Sequence, residues 1–265
     1  MGVTRLFALS LLMLVAACGK NATTAAPPPS VRPPFTPAVE PVTPANTDSL
    51  NRAFQVAFGT PAPAIIGFPA APDGSTMDHK LQFTPSALID LSPGVVALVS
   101  NGEGNFTNYT CDACAGQVSV DYLRRTPDGG FMKLGRWDLK AGAVSFGLTA
   151  PWTLRNDLDT VPVLLFAADE AAQGCTSTLV SLVELAPGAA IDAGSAILNS
   201  GKQAADGVAT PGDYQYSGKL TPLARGQSFA IDYTGTSSLH IVFTKGADGQ
   251  FHPPGGGPQT SPPVC

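Results

Sequence analysis

Three short segments of the chain alternate apolar and polar residues with period two: Val118-Ser119-Val120-Asp121-Tyr122, Phe229-Ala230-Ile231-Asp232-Tyr233 and Leu239-His240-Ile241-Val242-Phe243. Successive side chains of an extended strand point to opposite faces, so each segment predicts a strand with an apolar face in the core and a polar face toward solvent. On this basis Asp121, Asp232 and His240 are expected on solvated faces. Val161-Pro162-Val163-Leu164-Leu165-Phe166-Ala167 is instead continuously apolar. That run predicts a strand covered on both sides, starting at Pro162, since proline has no N–H to give to a sheet ladder. Asp128-Gly129 lies between a strand ending near Arg125 and one beginning at Phe131, and Asp248-Gly249 lies between Lys245 and Phe251. Asp-Gly favours the left-handed dihedrals of tight hairpins.

Such segments number about twelve, and no helix is expected among them. The predicted fold is all-β, a single domain over residues 48–253 built as an antiparallel two-layer sandwich or open barrel. Loose likeness between the hairpins around Asp128-Gly129 and Asp248-Gly249 gives the alternative, an irregular propeller-like repeat of hairpins. A propeller takes four or more blades of four strands, more than about twelve strands supply.

Composition sharpens the boundaries of that domain. Of the 25 prolines, 13 fall in residues 27–44 and 253–263, so low complexity is confined to the ends of the chain. Residues 18–47 read as an extended spacer and residues 254–265 as a Gly/Pro-rich tail ending in Cys265. Charged residues make up 13% of the chain, with a net charge of −5 and no basic stripe, so nucleic acid is not an expected partner.

Residues 1–17 have the layout of an export signal. Arg5 supplies a positive charge, Leu6 to Val15 form an apolar run too short to stay as a membrane-spanning helix, and Ala16-Ala17 present small side chains for cleavage. Val15-Ala16-Ala17-Cys18 resembles the lipobox of bacterial lipoproteins. The resemblance implies cleavage before Cys18, lipidation of that cysteine and membrane attachment through it. Gly19 stands where lipoproteins retained in the inner membrane typically carry aspartate, so the family rule implies a periplasm-facing protein of the outer membrane. Envelope proteins or glycans are then the expected partners.

Four other cysteines, Cys111, Cys114, Cys175 and Cys265, form an even set suited to disulfides in an oxidising compartment. One arrangement joins Cys111 to Cys114 and Cys175 to Cys265. The other uses the two loop cysteines to staple Cys175 and the C-terminus separately. Cys111-Asp112-Ala113-Cys114 also has the spacing of a redox dithiol, but that chemistry wants a helix immediately after it, and a strand follows at Val118. A zinc site would need two further ligands at short spacing, which neither Cys175 nor Cys265 provides.

Catalytic motifs are not found: there is no Gly-x-Ser-x-Gly, Ser-x-x-Lys, phosphate loop or His-Glu-x-x-His. No cofactor and no metal are expected. Asn156-Asp157-Leu158-Asp159 is a fragment of a calcium loop without its glycine and distal glutamate, and its carboxylates are expected to be solvated. Binding is read from aromatic residues. Trp152 sits in a turn context, and Tyr214-Gln215-Tyr216 places two rings on one face of a strand; these three are candidate ligand contacts, with core packing as the competing use of the tyrosines. The order of features, an apolar strand, the Cys-x-x-Cys loop, a Tyr-Leu strand, Phe146-Gly147 and then Gln173-Gly174-Cys175, resembles that of exported bacterial proteins and implies no activity. The chain therefore reads as a lipid-anchored binding or accessory module, with an envelope enzyme (a dithiol oxidoreductase, or a hydrolase using an acidic pair) or a structural envelope protein as alternatives.

Overall fold

A computed structural model of the chain describes residues 46–69, 78–111, 114–139, 147–172, 174–203, 212–255 and 261–263. The export signal, Cys18, nearly all of the spacer and Cys265 lie outside the described residues. The chain enters through a helix, α1 (Thr47–Phe58), and continues into β1 (Ala64–Phe68), β2 (His79–Ser92), β3 (Val95–Glu103), β4 (Gln117–Arg125) and β5 (Phe131–Leu139). These five strands form one antiparallel sheet in sequence order. A second antiparallel sheet holds β6 (Trp152–Arg155), β7 (Val163–Ala172), β8 (Cys175–Ala186), β9 (Ala189–Lys202), β10 (Tyr214–Ala224), β11 (Ser228–Gly235), β12 (Leu239–Lys245) and β13 (Phe251–His252), again with each strand beside its sequence neighbour. Both hairpins expected from Asp-Gly are present, as β4–β5 and β12–β13.

The eight-stranded sheet curls into a half-barrel. Its inward residues, including Leu165 of β7, Leu182 of β8, Leu198 of β9, Ile231 of β11 and Phe243 of β12, meet in one core. A second core lies between the sheets, where Val99, Val120 and Tyr122 of the five-stranded sheet pack against Leu164, Phe166, Val183 and Leu185. Leu164 and Leu165 thus face different cores from adjacent positions of β7. The continuously apolar run is buried on both sides because the strand is a wall shared by two cores. Tyr122 pins the sheets together: its hydroxyl lies 2.9 Å from the Ala186 carbonyl and 2.8 Å from that of Ala189 and shares its proton between them. Burial pushes this phenol above its ordinary range.

The expectation of no helix is corrected by α1. Residues 45–58 contain neither glycine nor proline, and Leu50, Ala53, Phe54, Ala57 and Phe58 recur at helical spacing. Asn46 caps the first turn by accepting from the Asp48 N–H at 3.0 Å. Gly59 ends the helix at φ 73°, a left-handed position that costs glycine little. The apolar stripe covers the outer face of the five-stranded sheet, packing Phe54 against the cluster of Leu81, Phe83, Leu98 and Leu123.

That covered face also corrects the expectation for Asp121. It is wholly buried, because the face assigned to solvent lies beneath α1. Arg136 grips the carboxylate with two arms, Nε to Oδ1 and Nη2 to Oδ2, both at 2.9 Å, and Lys133 approaches to 3.0 Å. Lys133 also donates to the Ala57 carbonyl at 2.8 Å, at the negative end of the helix, and the Arg136 guanidinium lies 4.0 Å above the Phe58 ring. Asp232, by contrast, stays on an exposed face of the half-barrel, paired across the ladder with His240 at 2.6 Å. The two aspartates occupy different sheets and do not form an acidic pair.

Candidate functional site

The inward alternation of β3 points to the site. Ala97 and Val99 face the core between the sheets, and period two carries the same face outward through Asn101 to Glu103, where the core opens at the rim. On the opposite wall, β6 places Leu154 in that core and Trp152 at its edge, with Trp152 in register with Phe166 of β7. The opening is a groove of about 490 Å³ lined by Ser86, Asn101, Glu103, Thr149, Trp152 and Leu154, among others. Ser86 reaches it because β2 bulges between Pro85 and Ala87, which adds a residue to the strand and turns it outward. The indole N–H donates to Asn101 Oδ1 at 3.3 Å and ties the ring to the opposite wall.

The loop between β3 and β4 braces this rim. Cys111 and Cys114 are bonded to each other, with Cα atoms 5.3 Å apart. The arrangement in which they separately reach Cys175 and the C-terminus is therefore excluded. No helix follows Cys114; the chain passes straight to β4 at Gln117, so the dipole that activates a thioredoxin-type thiol is missing. The Cys114 carbonyl accepts from the Gly147 N–H, and the Gly147 carbonyl accepts from the Gly104 N–H, each at 2.7 Å. Gly147 sits at φ 67° with Gly104 Cα 2.9 Å from where a side chain would begin, so only glycine suits the contact. Asn105 Oδ1 accepts from the Cys111 N–H at 2.8 Å, and Phe106 and Tyr109 pair their backbones and stack their rings 4.9 Å apart. Segments 101–103 and 149–152, the two walls of the groove, thus emerge from one Gly104–Gly147–Cys114 clamp.

The three aromatic candidates do not converge. Trp152 lines the groove, while Tyr214 and Tyr216 share a face as the alternation predicts, but that face looks into the half-barrel. Tyr216 is a core residue there, with its hydroxyl 2.9 Å from Ser237 Oγ, and its ring centroid lies 6.3 Å from that of Tyr214. Two other hollows have less to recommend them. The larger, about 610 Å³, runs along α1 between Asn46, Asp48, Arg52 and Gln55, and no aromatic ring is among the described residues that line it. The other, about 400 Å³, lies between β9 and β13 beside Asp192, Gln250 and His252.

A second polar cluster closes one end of the half-barrel. Lys245, at the end of β12, donates to Asp159 Oδ2 at 2.7 Å and to Glu184 Oε1 at 2.6 Å. β8 and β12 are four places apart in the sheet, so only its curl brings Glu184 and Lys245 together. Asp159 and Glu184 are buried, which corrects the expectation of solvated carboxylates for this loop; Asp157 alone stays exposed, held by Arg155 at 2.7 Å. Burial works against ionising Asp159, but hydrogen bonds from Lys245, Glu184 and Thr160 outweigh it and hold its carboxyl below the usual range. Burial, reinforced by the neighbouring Asp159, pushes the Glu184 carboxyl up. Lys245 is also pushed up, because its two carboxylate partners outweigh its own desolvation. Among the described residues no group of three or more His, Cys, Asp or Glu side chains is placed to hold a metal.

Cys175, the first residue of β8, is also disulfide-bonded. Close by, Ser200 of β9 donates to the Pro263 carbonyl at 2.8 Å, and Pro262 is buried. Among the described residues no helix is long and apolar enough to cross a membrane. Comparison with family models, with curated proteins and with solved structures gives no match to this chain.

Proposed function

We propose that the chain is a lipid-anchored binding module of the bacterial cell envelope, fixed to the outer membrane through Cys18 and acting through the groove at Trp152. The observation that carries the binding part is the groove itself. It is the place where the core between the sheets runs out to the surface around an indole and a set of short polar side chains, on a rim braced by a disulfide. The lipobox-like Val15-Ala16-Ala17-Cys18 supports the anchor, and the Pro-rich stretch before α1 supports a spacer that holds the domain off the membrane. The Cys-x-x-Cys pair is a brace in this reading, and no reaction is assigned to the protein.

The same reading assigns Cys265 as the partner of Cys175. With Cys111 and Cys114 bonded together and Cys18 lipidated, Cys265 is the cysteine left over, and Pro263 stands beside Ser200 on the ladder that pairs Ser177 with Ser200 and Cys175 with Lys202. Metabolic labelling with palmitate tests the anchor. The wild-type chain takes up label and pellets with membranes, while Cys18→Ser takes up none and is recovered in the soluble fraction. A wild-type chain without label defeats the anchor. Mass spectrometry without reduction is expected to recover one peptide pair joining Cys175 to Cys265.

A further inference from the structure

The chemistry of the groove narrows what it holds. Trp152 lines it, and because the indole N–H is already committed to Asn101 Oδ1, what the side chain has left to offer a ligand is its ring. An indole face takes flat apolar surfaces such as the C–H face of a pyranose ring or another aromatic ring. Around it stand Ser86, Asn101 and Thr149, whose hydroxyl and amide groups each both donate and accept. That pairing of roles matches an alcohol hydroxyl, which also does both. Asn101 accepts from the indole through Oδ1 and keeps its amide N–H groups for donation. Among the described residues the one charged group lining the groove is Glu103, and no lysine or arginine lines it. Among those residues a phosphate, sulfate or carboxylate would find no counter-charge and one repelling neighbour. An extended peptide wants successive sockets for alternate side chains, whereas this groove offers a single aromatic ring among Ala87, Ala150, Pro151 and Leu154.

From these features we infer that the groove is a saccharide site that takes a neutral or amino-substituted sugar chain, with Trp152 as the stacking platform and Asn101 and Glu103 as hydrogen-bonding partners. The inference rests on the groove being the binding site, and it stands independently of the lipid anchor. The Cys111–Cys114 disulfide is a positioning element. Through the Cys114 carbonyl it holds Gly147, and Gly147 holds Gly104, so the bond sets the spacing between the wall that carries Asn101 and Glu103 and the wall that carries Thr149 and Trp152.

The test uses the full chain with Trp137→Phe, which leaves Trp152 as its one tryptophan. The soluble probes are the β-1,4-linked tetramer of N-acetylglucosamine and cellotetraose, with an uncharged extended octapeptide as comparator. At least one tetrasaccharide is expected to shift Trp152 emission saturably, and the octapeptide to leave it unchanged. By calorimetry in the wild-type background, Trp152→Ala weakens saccharide binding about tenfold or more, and Trp152→Phe keeps it within about threefold. Asn101→Ala weakens it about fivefold and is the second variant should Trp152→Ala fail to fold. Cys111→Ser with Cys114→Ser weakens binding while far-UV circular dichroism keeps its β signature, a split that a purely structural disulfide would not give. No saturable change with either saccharide up to about 10 mM, equal affinity in Trp152→Ala, or binding of the octapeptide alone overturns the proposal. Saccharide binding by a chain that takes up no palmitate would remove the anchor and leave this site standing; palmitate uptake without saccharide binding would do the reverse.

Discussion

Asp121 and Lys245 are each the minority charge of a buried cluster, and the two clusters are inversions of one another. Asp121 is one carboxylate between two cations, Arg136 and Lys133; Lys245 is one ammonium between two carboxylates, Asp159 and Glu184. They dispose of their surplus charge differently. Arg136 and Lys133 keep 26% and 37% of their side chains exposed, and they also have the Phe58 ring and the helix-terminal Ala57 carbonyl to turn to. Asp159 and Glu184 are only 4% and 8% exposed, so their surplus negative charge has no route to water. Its outlet is a proton, which is why Glu184 ionises late. Long cationic side chains snorkel, and short acidic ones do not, so the sign of the surplus decides which cluster can share it with water.

The sharpest way to break this comparison is to remove each minority charge. Lys245→Met leaves two buried carboxylates facing each other and is expected to cost about 3–5 kcal/mol in chemical denaturation. Asp121→Asn keeps the shape and leaves cations that reach solvent, so its expected cost is about 1–3 kcal/mol by the same measurement. An Asp121→Asn chain less stable than Lys245→Met would reverse the ranking and with it the account of the surplus.

The smallest effect is the pH dependence. Glu184 has its folded pKa raised above the ordinary 4.5, so the folded state holds this proton more tightly than the unfolded chain does. Its contribution to stability is complete below that ordinary value and is lost as pH rises through the folded one. The stability of wild type minus that of Glu184→Gln is therefore expected to decline as pH rises above the ordinary 4.5. Asp159, with its pKa lowered from 3.8, works with the opposite sign and loses its contribution as pH falls into the acid range. A difference that stays flat or climbs over the Glu184 window contradicts the raised carboxyl.

Local pattern made the strands legible. Alternation located β4, β11 and β12, the Asp-Gly pairs located two hairpins, and the apolar run marked β7 as a strand hidden on both sides. The fate of Asp121 was hidden because it depends on α1, whose stripe from Leu50 to Phe58 follows directly on a proline-rich stretch and takes on its character when composition is read in bulk. Alternation reports that two faces differ, not what covers each, so a polar residue beneath a helix reads the same as one in water. The tyrosines of β10 show the same limit: Tyr214 and Tyr216 do share a face, and the curl of the sheet turns that face inward. Trp152 was visible as an aromatic residue in a turn, but its partners Asn101 and Glu103 come from a strand some fifty residues earlier, brought opposite it by the stacking of two sheets. Lys245 with Glu184 is further from reach, because their meeting depends on the curvature of a whole sheet.

β7 and β8 give one wall to two cores, and that has a consequence for how the molecule comes apart. Leu164 and Leu165 are covalent neighbours that anchor different cores, as are Leu182 and Val183. The half-barrel cannot open without stripping one side of the wall on which the other sheet is seated, and the other sheet cannot lift off without wetting the back of the half-barrel. Two architectures that look separable in outline are thus bound into one cooperative unit, whose last amides to exchange with solvent are expected along β7 and β8.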